Sequence, residues 1–354
     1  MRIKHLLCTF VIALSIGSVD AQDIHFSQFY QSPLNLNPAM TGVMNCSQRI
    51  VANYRNQWAA VLGSNAYNTY SVSYDRKMAV GQTDYFGVGG TLWADVAGAS
   101  RFGTRQAKLS FSFSKKIAGS RNNSHYIVAG AEGGMTQRRV SQGDLRWPSQ
   151  VSGGVFDPSS GSPEIIQDNN FLYPDLSGGL MWFATIDKNS FYAGAAMHHL
   201  NQPNVSFLGA QESLFSRLTV HAGGELAVTK KMSILPNIIY LDQGPHMEIN
   251  AGSSVRLAID GSRSNQFIQF GLWYRLGQQV EAVPGGTNQF TTSLHSDAII
   301  LATRFETGNY GIGFSYDYNI SELATGSSAN GSFELSVVYL FCGNENRGVY
   351  CPTF

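Results

Sequence analysis

The stretch Ala107–Lys115, AKLSFSFSK, decides the fold class, because apolar residues alternate in it with small or polar ones. Phe111 and Phe113 fall on one side of an extended chain, and Ser112 and Ser114 fall on the other. Alternation with a period of two over this length indicates a β-strand that has one apolar face and one polar face. We therefore expect the phenylalanines and the serines to face opposite sides of a sheet.

The same alternation returns along the whole chain, most clearly in Tyr310–Tyr318, YGIGFSYDY, and in Phe333–Phe341, FELSVVYLF. There is no convincing amphipathic helix between such segments, so the chain is predicted to be all-β. The alternating segments predict about 14 strands, near residues 46–54, 67–75, 84–94, 101–116, 124–138, 173–185, 190–200, 216–228, 232–241, 246–258, 266–276, 296–306, 310–319 and 332–341.

The connections between these strands differ in length in a regular way. They are compact after the second, fourth, sixth, eighth, tenth and twelfth strands. They are long and rich in Gly, Pro, Ser and Asn after the fifth, seventh, eleventh and thirteenth, with 141–172 and 277–295 the clearest. Short turns on one side and long loops on the other are typical of an up-and-down antiparallel outer-membrane β-barrel, whose short turns lie in the periplasm. The chain is thereby predicted to enter the first strand and to leave the last strand on the periplasmic side.

A secreted soluble β-sandwich is the competing fold, since its strands alternate in the same way. A sandwich rarely needs so many strands in one meander, and it does not explain strand ends rich in aromatic residues, such as Trp182-Phe183 and Trp273-Tyr274. Aromatic side chains are enriched at both membrane interfaces. The sequence therefore favours the membrane barrel, with side chains such as Phe314 facing lipid and side chains such as Ser315 facing the lumen.

Residues 1–21 have the features of a secretory signal peptide. Arg2 and Lys4 form a positive start, Leu6–Ile16 form an apolar core, and Val19–Ala21 fit a cleavage site with small residues. The apolar core is too short to span a bilayer, which needs about 20 residues, and no Cys follows the cleavage point. The predicted organisation is a signal peptide at 1–21, an N-terminal periplasmic or plug segment at 22–45, a transmembrane β-barrel at 46–341 and a C-terminal tail at 342–354.

Charge and motifs argue against nucleic-acid binding and against catalysis. Removal of Arg2, Lys4 and Asp20 from 24 basic and 24 acidic residues leaves 22 and 23, so no basic surface for nucleic acid is expected. The glycines of DYFGVGGTLWAD, at 84–95, lie in a predicted strand without the following helix that a dinucleotide fingerprint requires. The Ser and His of NNSH, at 122–125, are neighbours that diverge on a strand. We expect no enzyme activity and no cofactor.

His198-His199 is the one histidine pair in the chain. Neighbours in a regular strand point to opposite faces, so both rings cannot hold one metal ion from a strand. No Cys or carboxylate cluster stands beside the pair in the sequence, as a metal site would need. We therefore expect no metal site, with one histidine lining the lumen and the other at the lipid interface.

Three cysteines remain after the predicted cleavage: Cys46, Cys342 and Cys351. An odd count at these spacings is neither a disulfide framework nor a zinc site. Cys342 and Cys351 are separated by a loop that contains Gly and Asn, so a local disulfide between them is one interpretation in an oxidising compartment. Unpaired thiols in a tail are the other interpretation, and the sequence leaves both open.

The stretch His25–Gly42, HFSQFYQSPLNLNPAMTG, follows the predicted cleavage point and has no helical or strand period. Its two prolines remove backbone donors and fix local angles, and its asparagines can close turns. The motif NYRNQW, at 53–58, brings a forked donor, an amide and an amphipathic ring to the place where the chain enters the first strand. Three roles remain open for the stretch: a plug, a docking surface or a cap on the barrel's open end. The candidate residues are Phe26, Ser27, Gln28, Pro33, Asn37, Pro38, Arg55, Gln57 and Trp58.

Five blocks along the chain carry a resemblance to a known family. FSQFYQSPLNLNPAMTG from Phe26, NYRNQW from Asn53, YPDLSGGLMW from Tyr173, HHLNQPN from His198 and YDYNISELATGSSANGSFELSVVYLF from Tyr316 are similar, in this order, to motifs of the PorP/SprF family. These are type IX secretion system membrane proteins of Bacteroidetes. The resemblance covers essentially the whole chain after the signal peptide, and nothing is carried over for the tail from Cys342 onward.

The resemblance implies a non-enzymatic outer-membrane β-barrel without a cofactor. It implies work with the gliding and secretion machinery that exports cargo bearing C-terminal sorting domains. The implied partners are outer-membrane lipid, other type IX secretion subunits and the secreted cargo. Two other functions remain as alternatives: a passive outer-membrane transporter or channel for small solutes, with the N-terminal stretch as its plug, and a secreted soluble protein that binds glycan.

Overall fold

A computed structural model describes residues 23–120, 123–152, 155–157, 159–160, 166, 169–207, 209, 211–259, 265–282, 290–322, 324–342 and 351. The predicted signal peptide, residues 1–21, and tail residues 343–350 and 352–354 lie outside the described residues. No helix in the described part of the chain reaches the length and apolarity that a membrane crossing requires.

The described residues form a closed antiparallel barrel of 14 strands. The strands in chain order are β1 Gln48–Gln57, β2 Tyr67–Val80, β3 Asp84–Ala97, β4 Phe102–Gly119, β5 Asn123–Arg139, β6 Val151–Ser152, β7 Val155–Phe156, β8 Asn170–Ile186, β9 Asn189–His198, β10 Arg217–Ala227, β11 Met232–Gln243, β12 His246–Ala258, β13 Gln266–Ala282, β14 Phe290–Thr307, β15 Tyr310–Asn319 and β16 Asn330–Phe341. Short β6 and β7 form a separate hairpin. β1 pairs with both β2 and β16, which closes the sheet and confirms the predicted barrel.

The short helices are not part of the barrel wall. α1 Pro33–Leu36 precedes the first strand, α2 Ala59–Leu62 follows β1, and α3 Ala324–Ser327 precedes β16. Single 3₁₀ turns occur at Phe29–Gln31, Pro38–Met40, Gly63–Asn65, Gln142–Asp144 and Pro148–Gln150.

The two faces of the strands differ as the alternation predicts. In β4, Ser112 and Ser114 are buried, whereas Phe111 and Phe113 are 49% and 44% exposed. In β15, Ser315 is buried and Phe314 is exposed. A closed sheet leaves no unpaired strand edge, so large apolar side chains can cover its outside where lipid surrounds it. The predicted facing of these residues is confirmed.

The connections alternate in length only in part. On the side that holds the ends of β1 and β16 the turns are short, at 81–83, 187–188 and 308–309. The longest connections, 140–169 and 199–216, lie on the opposite side, which is the outer side of such a barrel. Two outer connections are tight, at 98–101 and 244–245, so the outer side is not uniformly long-looped.

Part of the stretch predicted as a long loop, 277–295, is instead a continuation of two strands. The pairing of β13 with β14 continues as far as Ala282 and Phe290, beyond the ends of the neighbouring strands β12 and β15. The extension carries polar residues such as Gln278, Thr292 and Ser293. Gln278 and Thr292 interrupt the apolar alternation by which membrane strands are recognised in a sequence, and so the stretch reads as loop.

Of the two interpretations of the cysteines, the local disulfide between Cys342 and Cys351 is wrong. Cys342 pairs with Cys46, whose Cα lies 4.5 Å away although 296 residues separate the two in sequence. The pair flanks β1 and β16, which barrel closure makes neighbours, so the bond spans the seam. Cys351 is a free, buried thiol, and its backbone N–H donates to Asn45 Oδ1 at 2.6 Å. The alternative of an unpaired thiol therefore holds for Cys351 alone.

Candidate functional site

The N-terminal segment, defined here as residues 23–45, lies inside the barrel. Residues 26–44 are buried except for half-buried Asn35. Three successive single turns, at Phe29–Gln31, Pro33–Leu36 and Pro38–Met40, fold the chain back on itself. Pro33 and Pro38 each occupy the first position of a turn, where a missing N–H leaves no hydrogen bond unmade. The compact shape lets a short chain fill the lumen.

The segment crosses the lumen from its outer half to its periplasmic end. Near its start, the carbonyl of Ile24 accepts a hydrogen bond from Arg217, the first residue of β10 on the outer side. Near its end, the carbonyl of Met44 accepts one from Lys77, close to the periplasmic end of β2. The covalent link to β1 then follows at the periplasmic rim.

Apolar packing holds the periplasmic half of the segment. Met40 and Val43 are completely buried, and Tyr30 stacks on Trp273 at a centroid distance of 5.1 Å. The wall supplies inward aromatic and aliphatic side chains to the same cluster, namely Tyr85, Tyr126, Val128, Met181, Phe183, Tyr192, Ile239, Leu241, Trp273, Ile300 and Ala302. The lumen thus contains a hydrophobic core, and the N-terminal segment is one side of it.

Two wall glycines allow the segment to approach the sheet. A Cβ added at Gly130 on β5 would collide with the backbone of Pro38 and Ala39. A Cβ added at Gly179 on β8 would collide with the side chain of Asn37. A strand glycine often marks such a close approach of another backbone. The sequence shows these glycines only as part of strands, so this role was missed.

Both the oxygen and the nitrogen of the Asn37 side-chain amide form hydrogen bonds. Its Oδ1 accepts the N–H of Ala39 at 2.8 Å, which caps the turn that begins at Pro38. Its Nδ2 donates to the carbonyls of Leu180 and Ala195, at 3.2 and 3.3 Å. Those carbonyls belong to adjacent strands β8 and β9. One side chain therefore joins a turn of the segment to the wall.

In the outer half of the lumen, Glu334 binds the main chain of the segment. Its carboxylate accepts the N–H of Ser27 at 2.6 Å and the N–H of Gln28 at 2.9 Å. The same carboxylate pairs with Arg55 on the adjacent strand β1 at 2.6 Å. All of these groups are buried, so the ion pair neutralises a charge that burial alone would make costly.

The network extends from Ser27 to a second buried carboxylate. Ser27 Oγ donates to Asp317 at 2.7 Å and accepts from Arg55 and Arg275, at 2.8 and 3.0 Å. Arg275 pairs with Asp317 at 2.8 Å and with Asp297 at 2.5 Å. Paired charges on four wall strands thus converge on one serine of the segment.

The first residues of the segment meet a third group of charges. Asp23 pairs with His199 and lies 3.4 Å from Arg217, while His199 Nδ1 lies 2.8 Å from Asp175. Burial alone would lower the pKa of His199, the first residue after β9, but the Asp23 and Asp175 carboxylates raise it to about 9. Burial would likewise raise the pKa of Asp23, yet His199 and Arg217 hold it below its usual range. Both groups are therefore charged at neutral pH.

Near the periplasmic end, one buried ion pair brackets the last turn. Arg49 pairs with Asp75 at 2.8 Å and donates to the carbonyl of Met40 at 3.2 Å. Asp75 accepts the N–H of Gly42 at 2.7 Å. Gly42 has φ +72°, a conformation that favours glycine. The wall thus supplies both a hydrogen-bond donor and an acceptor to the backbone of the segment, which is not in a β-sheet.

Two of the candidate residues lie away from the segment. NYRNQW forms the outer end of β1, so the expectation that it lies where the chain enters that strand is wrong. Arg55 reaches the lumen, but Gln57 ends the strand at the outer rim. Trp58 precedes α2 and has φ +64°. Its backbone N–H donates to the Gly331 carbonyl at 3.0 Å. The motif thus combines one lumen anchor with residues that fix the first outer loop.

The expected placement of His198 and His199 on opposite faces is also wrong. Both side chains are buried inside the barrel. His198 is the last residue of β9, and His199 has φ +55°, so strand alternation stops between them. His198 Nδ1 lies 3.5 Å from Glu132. Across the described ranges, no group of three or more His, Cys, Asp or Glu side chains is arranged to hold a metal ion.

The anchors Glu334, Asp317, Asp75 and Arg217 were not among the residues singled out from the sequence. A signal for two of them exists, since Glu334 and Asp317 stand at inward positions of alternating strands among serines and glycines. A charge on the face opposite the lipid-facing aromatics needs a partner in the lumen. The sequence does not show which residues pair with these carboxylates, because the N-terminal segment that reaches them is about 300 residues away along the chain.

A closed barrel with an apolar outside and a filled lumen defines the class: the chain is an integral outer-membrane β-barrel protein. Residues 18–339 match the profile of the type IX secretion system membrane protein PorP/SprF. The chain belongs to the PorP/SprF family, which is a family of secretion-system membrane proteins and not a known enzyme class. Among curated proteins, none matches this chain.

Several solved barrels have a similar architecture. The CymD monoaromatic hydrocarbon channel is 14% identical, with 90% of this chain and 95% of CymD covered and a TM-score of 0.46. CdiB from Escherichia coli is 6% identical, with 82% of this chain and only 63% of CdiB covered and a TM-score of 0.45. The P. putida toluene transporter TodX is 9% identical, with 87% and 93% covered and a TM-score of 0.41. At sequence identities this low, the functions of these barrels are not transferred to this chain.

Proposed function

We propose that this protein is a non-enzymatic outer-membrane component of the type IX secretion and gliding machinery. In this role it assists the export or the surface attachment of cargo that bears C-terminal sorting domains. Membership of the PorP/SprF family, over residues 18–339, supports the assignment to the secretion system. The partners in the proposal are the other subunits of the machinery and the cargo itself.

The proposal further assigns residues 23–45 to a plug, so that cargo passes beside this barrel and not through it. The observation that carries this part is the buried N-terminal segment, bound by wall residues at both ends of the lumen. Release of the segment would leave buried carboxylates such as Glu334 and Asp75 without the main-chain donors that they now accept from. Losing such a partner costs about 1–3 kcal/mol for each buried group. The rims of the barrel then remain as its docking surfaces.

The alternative of a solute transporter needs a path past the segment. Two cavities between the described part of the segment and the wall have volumes of about 30 Å³, beside His25 and Phe29, and about 20 Å³, beside Asp23 and Lys108. A cavity needs roughly 10–15 Å³ to hold one water, so these two have room for only a few waters. These volumes favour a closed lumen, and transport would require the segment to move.

A disulfide that fixes the segment in the lumen distinguishes secretion with a closed lumen from a function that requires the segment to move. Thr41 Oγ1 of the segment lies 3.0 Å from Ser110 Oγ on β4, so Thr41→Cys with Ser110→Cys places two sulfurs within reach of each other. The lock is made in a Cys351→Ser background, and each single cysteine variant is its control. In cells that lack the protein, we expect cargo to be retained and the locked variant to restore its secretion. Secretion that returns only after reduction would show that the segment must leave the lumen.

The assignment to secretion has its own test. The proteins released by a deletion strain are compared with those released by the same strain carrying the full chain. The proposal expects proteins with C-terminal sorting domains to disappear from the medium in the deletion strain. An unchanged set of released proteins, together with lost uptake of small solutes, would replace the secretion assignment with the transporter.

A further inference from the structure

The lipid-facing wall has a groove where the adjacent strands β9 and β10 carry small outward residues beside large ones on β8. Ala193 on β9 pairs with Ala222 on β10 and with Trp182 on β8. Ala195 lies one outward position further along β9. The groove has a volume of about 440 Å³ and is lined by Ile127, Leu180, Met181, Trp182, Ala193, Gly194, Ala195, Val220, His221 and Ala222. Its side walls are large apolar residues, and its floor consists mainly of alanines.

The groove lies in the periplasmic half of the membrane. Ala193 is four residues from Asn189, where β9 leaves its periplasmic turn. At about 3.3 Å per residue along a strand, this is roughly 13 Å, or about 10 Å of depth for a strand tilted by about 40°. The hydrocarbon of the inner half of a bilayer extends over about 15 Å. An acyl chain of a lipid in the periplasmic leaflet therefore passes this level.

Directly below the groove, the periplasmic rim is basic. The turn between β8 and β9 carries exposed Lys188, and the turn between β10 and β11 carries exposed Lys230 and Lys231. Asp187 is the acid within these two turns. In contrast, the turns at 81–83 and 308–309, under other parts of the wall, contain no Lys or Arg. This part of the periplasmic rim thus carries three lysines against one acid.

An amphipathic side-chain pair extends from the groove towards the periplasmic side. Trp182 stacks on the ring of His125, at a centroid distance of 6.0 Å. His125 is two residues into β5 from its periplasmic end. Trp side chains in membrane proteins favour the level of the lipid headgroups, because the ring is apolar and its N–H is polar. Trp182 pairs with Ala193, so its ring borders the alanine floor, and the lysines lie beyond it on the periplasmic side.

We propose that this groove is a binding site for one anionic phospholipid of the periplasmic leaflet. One acyl chain lies on Ala193, Ala195 and Ala222, and the phosphate and its anionic headgroup lie against Lys188, Lys230 and Lys231. A protein partner on the same face would need an apolar surface at the groove and acidic groups at the rim. The bilayer supplies a ligand with both features in the required order, which is why the lipid is the occupant that we assign.

The first experiment compares two lipids on the full chain. The purified protein in mild detergent is titrated with phosphatidylglycerol, which is anionic, or with phosphatidylcholine, which is zwitterionic, and bound lipid is counted by native mass spectrometry. We expect one phosphatidylglycerol to bind at least about fivefold tighter than phosphatidylcholine, the effect of one lysine near a lipid surface. Equal retention of the two lipids would overturn the proposal.

The second experiment fills the groove. Ala193→Leu places a larger side chain on the groove floor, and Ala107→Leu makes the same change at an outward position of β4, away from the groove. We expect the first variant to bind phosphatidylglycerol at least about tenfold more weakly and the second to bind it as the wild type does. Heat-modifiable migration confirms that both barrels are assembled. Equal lipid binding by the two variants would refute the site.

The third experiment removes the charge at the rim. Lys188→Gln with Lys230→Gln should abolish the preference for the anionic lipid, while Arg101→Gln with Arg139→Gln, on the outer rim, should leave it intact. If both double variants keep the preference, the assigned phosphate position is wrong. If Ala193→Leu instead disrupts a stoichiometric protein complex and leaves lipid binding unchanged, the groove is a protein interface and the lipid proposal fails.

Discussion

The carboxylate of Glu334 accepts the backbone N–H of Ser27 at 2.6 Å, although 307 residues separate the two in sequence. Glu334 lies on the last strand, and Ser27 lies before the first. Because the same carboxylate pairs with Arg55 on β1, one buried group joins the N-terminal segment to both strands of the closing seam. The contact requires a closed barrel and therefore forms only when the sheet does.

Loss of the charge on Glu334 should loosen the start of the segment while the barrel stays assembled. Glu334→Gln keeps the size of the side chain but leaves Arg55 with a neutral neighbour in place of a carboxylate. Because Arg55 keeps Asp317 at 3.5 Å, the cost should lie below the about 3–5 kcal/mol of leaving a buried ion without any partner. We expect faster hydrogen exchange at the amides of Ser27 and Gln28, measured by mass spectrometry. Glu212→Gln, at an exposed acid in the loop 199–216, is the control and should exchange as the wild type does.

A methyl group at a wall glycine should displace the segment by a different route. Gly179→Ala adds a Cβ where Asn37 lies, whereas Gly178→Ala adds one whose nearest contact is Leu200, at an ordinary 3.7 Å. We expect only Gly179→Ala to expose residues 23–45 to protease and to raise ion conductance in planar bilayers. Conductance that rises equally in both variants would show that the close approach of Asn37 does not keep the lumen closed.

The strands and their faces could be predicted because a period of two is written into each strand separately. Phe111 and Ser112 need no knowledge of distant residues to be assigned to lipid and lumen. The position of the N-terminal segment could not be predicted in this way, since its turns are irregular and its partners lie on many strands. Its irregular backbone depends on wall side chains for hydrogen bonds, and those wall residues read as ordinary polar positions.

The cysteine pairing was within reach of the sequence and was still mistaken. Cys46 and Cys342 flank the first and last predicted strands, and closure of an up-and-down barrel makes those strands neighbours. The short spacing of Cys342 and Cys351 suggested a local pair instead, with unpaired thiols as the other interpretation. In a closed sheet, separation along the chain says little about separation in space, and the predicted topology was the better guide.

The seam disulfide gives a prediction about stability. Cys46→Ser or Cys342→Ser should each destabilise the folded barrel by about 2–5 kcal/mol, because the bond closes a very long loop of the unfolded chain. The double variant should be no worse than either single one. Unfolding in urea, followed by loss of heat-modifiable migration, measures the effect. Cys351→Ser leaves the bond intact, so its midpoint should change on reduction as that of the wild type does.

The filled lumen changes what is expected of substitutions on the inner face. Phe314→Arg places a charge in lipid and should cost about 2–4 kcal/mol near mid-membrane. An open lumen would tolerate Ser315→Arg, but Ser315 is completely buried, so this variant should disturb the packing inside the barrel. We expect Phe314→Arg to lower the yield of assembled barrel in outer membranes. Ser315→Arg should instead give assembled barrel with an exposed N-terminal segment, and equal assembly yields with a protected segment in both would contradict the assigned faces.

Alkaline pH should weaken the outer attachment of the segment. The pKa of His199 is raised from 6.5 to about 9 by Asp23 and Asp175 against the opposing effect of burial. A raised pKa means that the ion pair stabilises the fold fully below pH 6.5 and that this contribution, about 3 kcal/mol, is lost as the pH rises through 9. The heat-modifiable transition of the wild type should therefore shift to lower temperature between pH 8 and pH 10. His199→Gln keeps a hydrogen-bond donor for the carboxylates but cannot titrate, so its midpoint should fall less over the same range. Equal shifts in the two proteins would assign the pH dependence to groups other than His199.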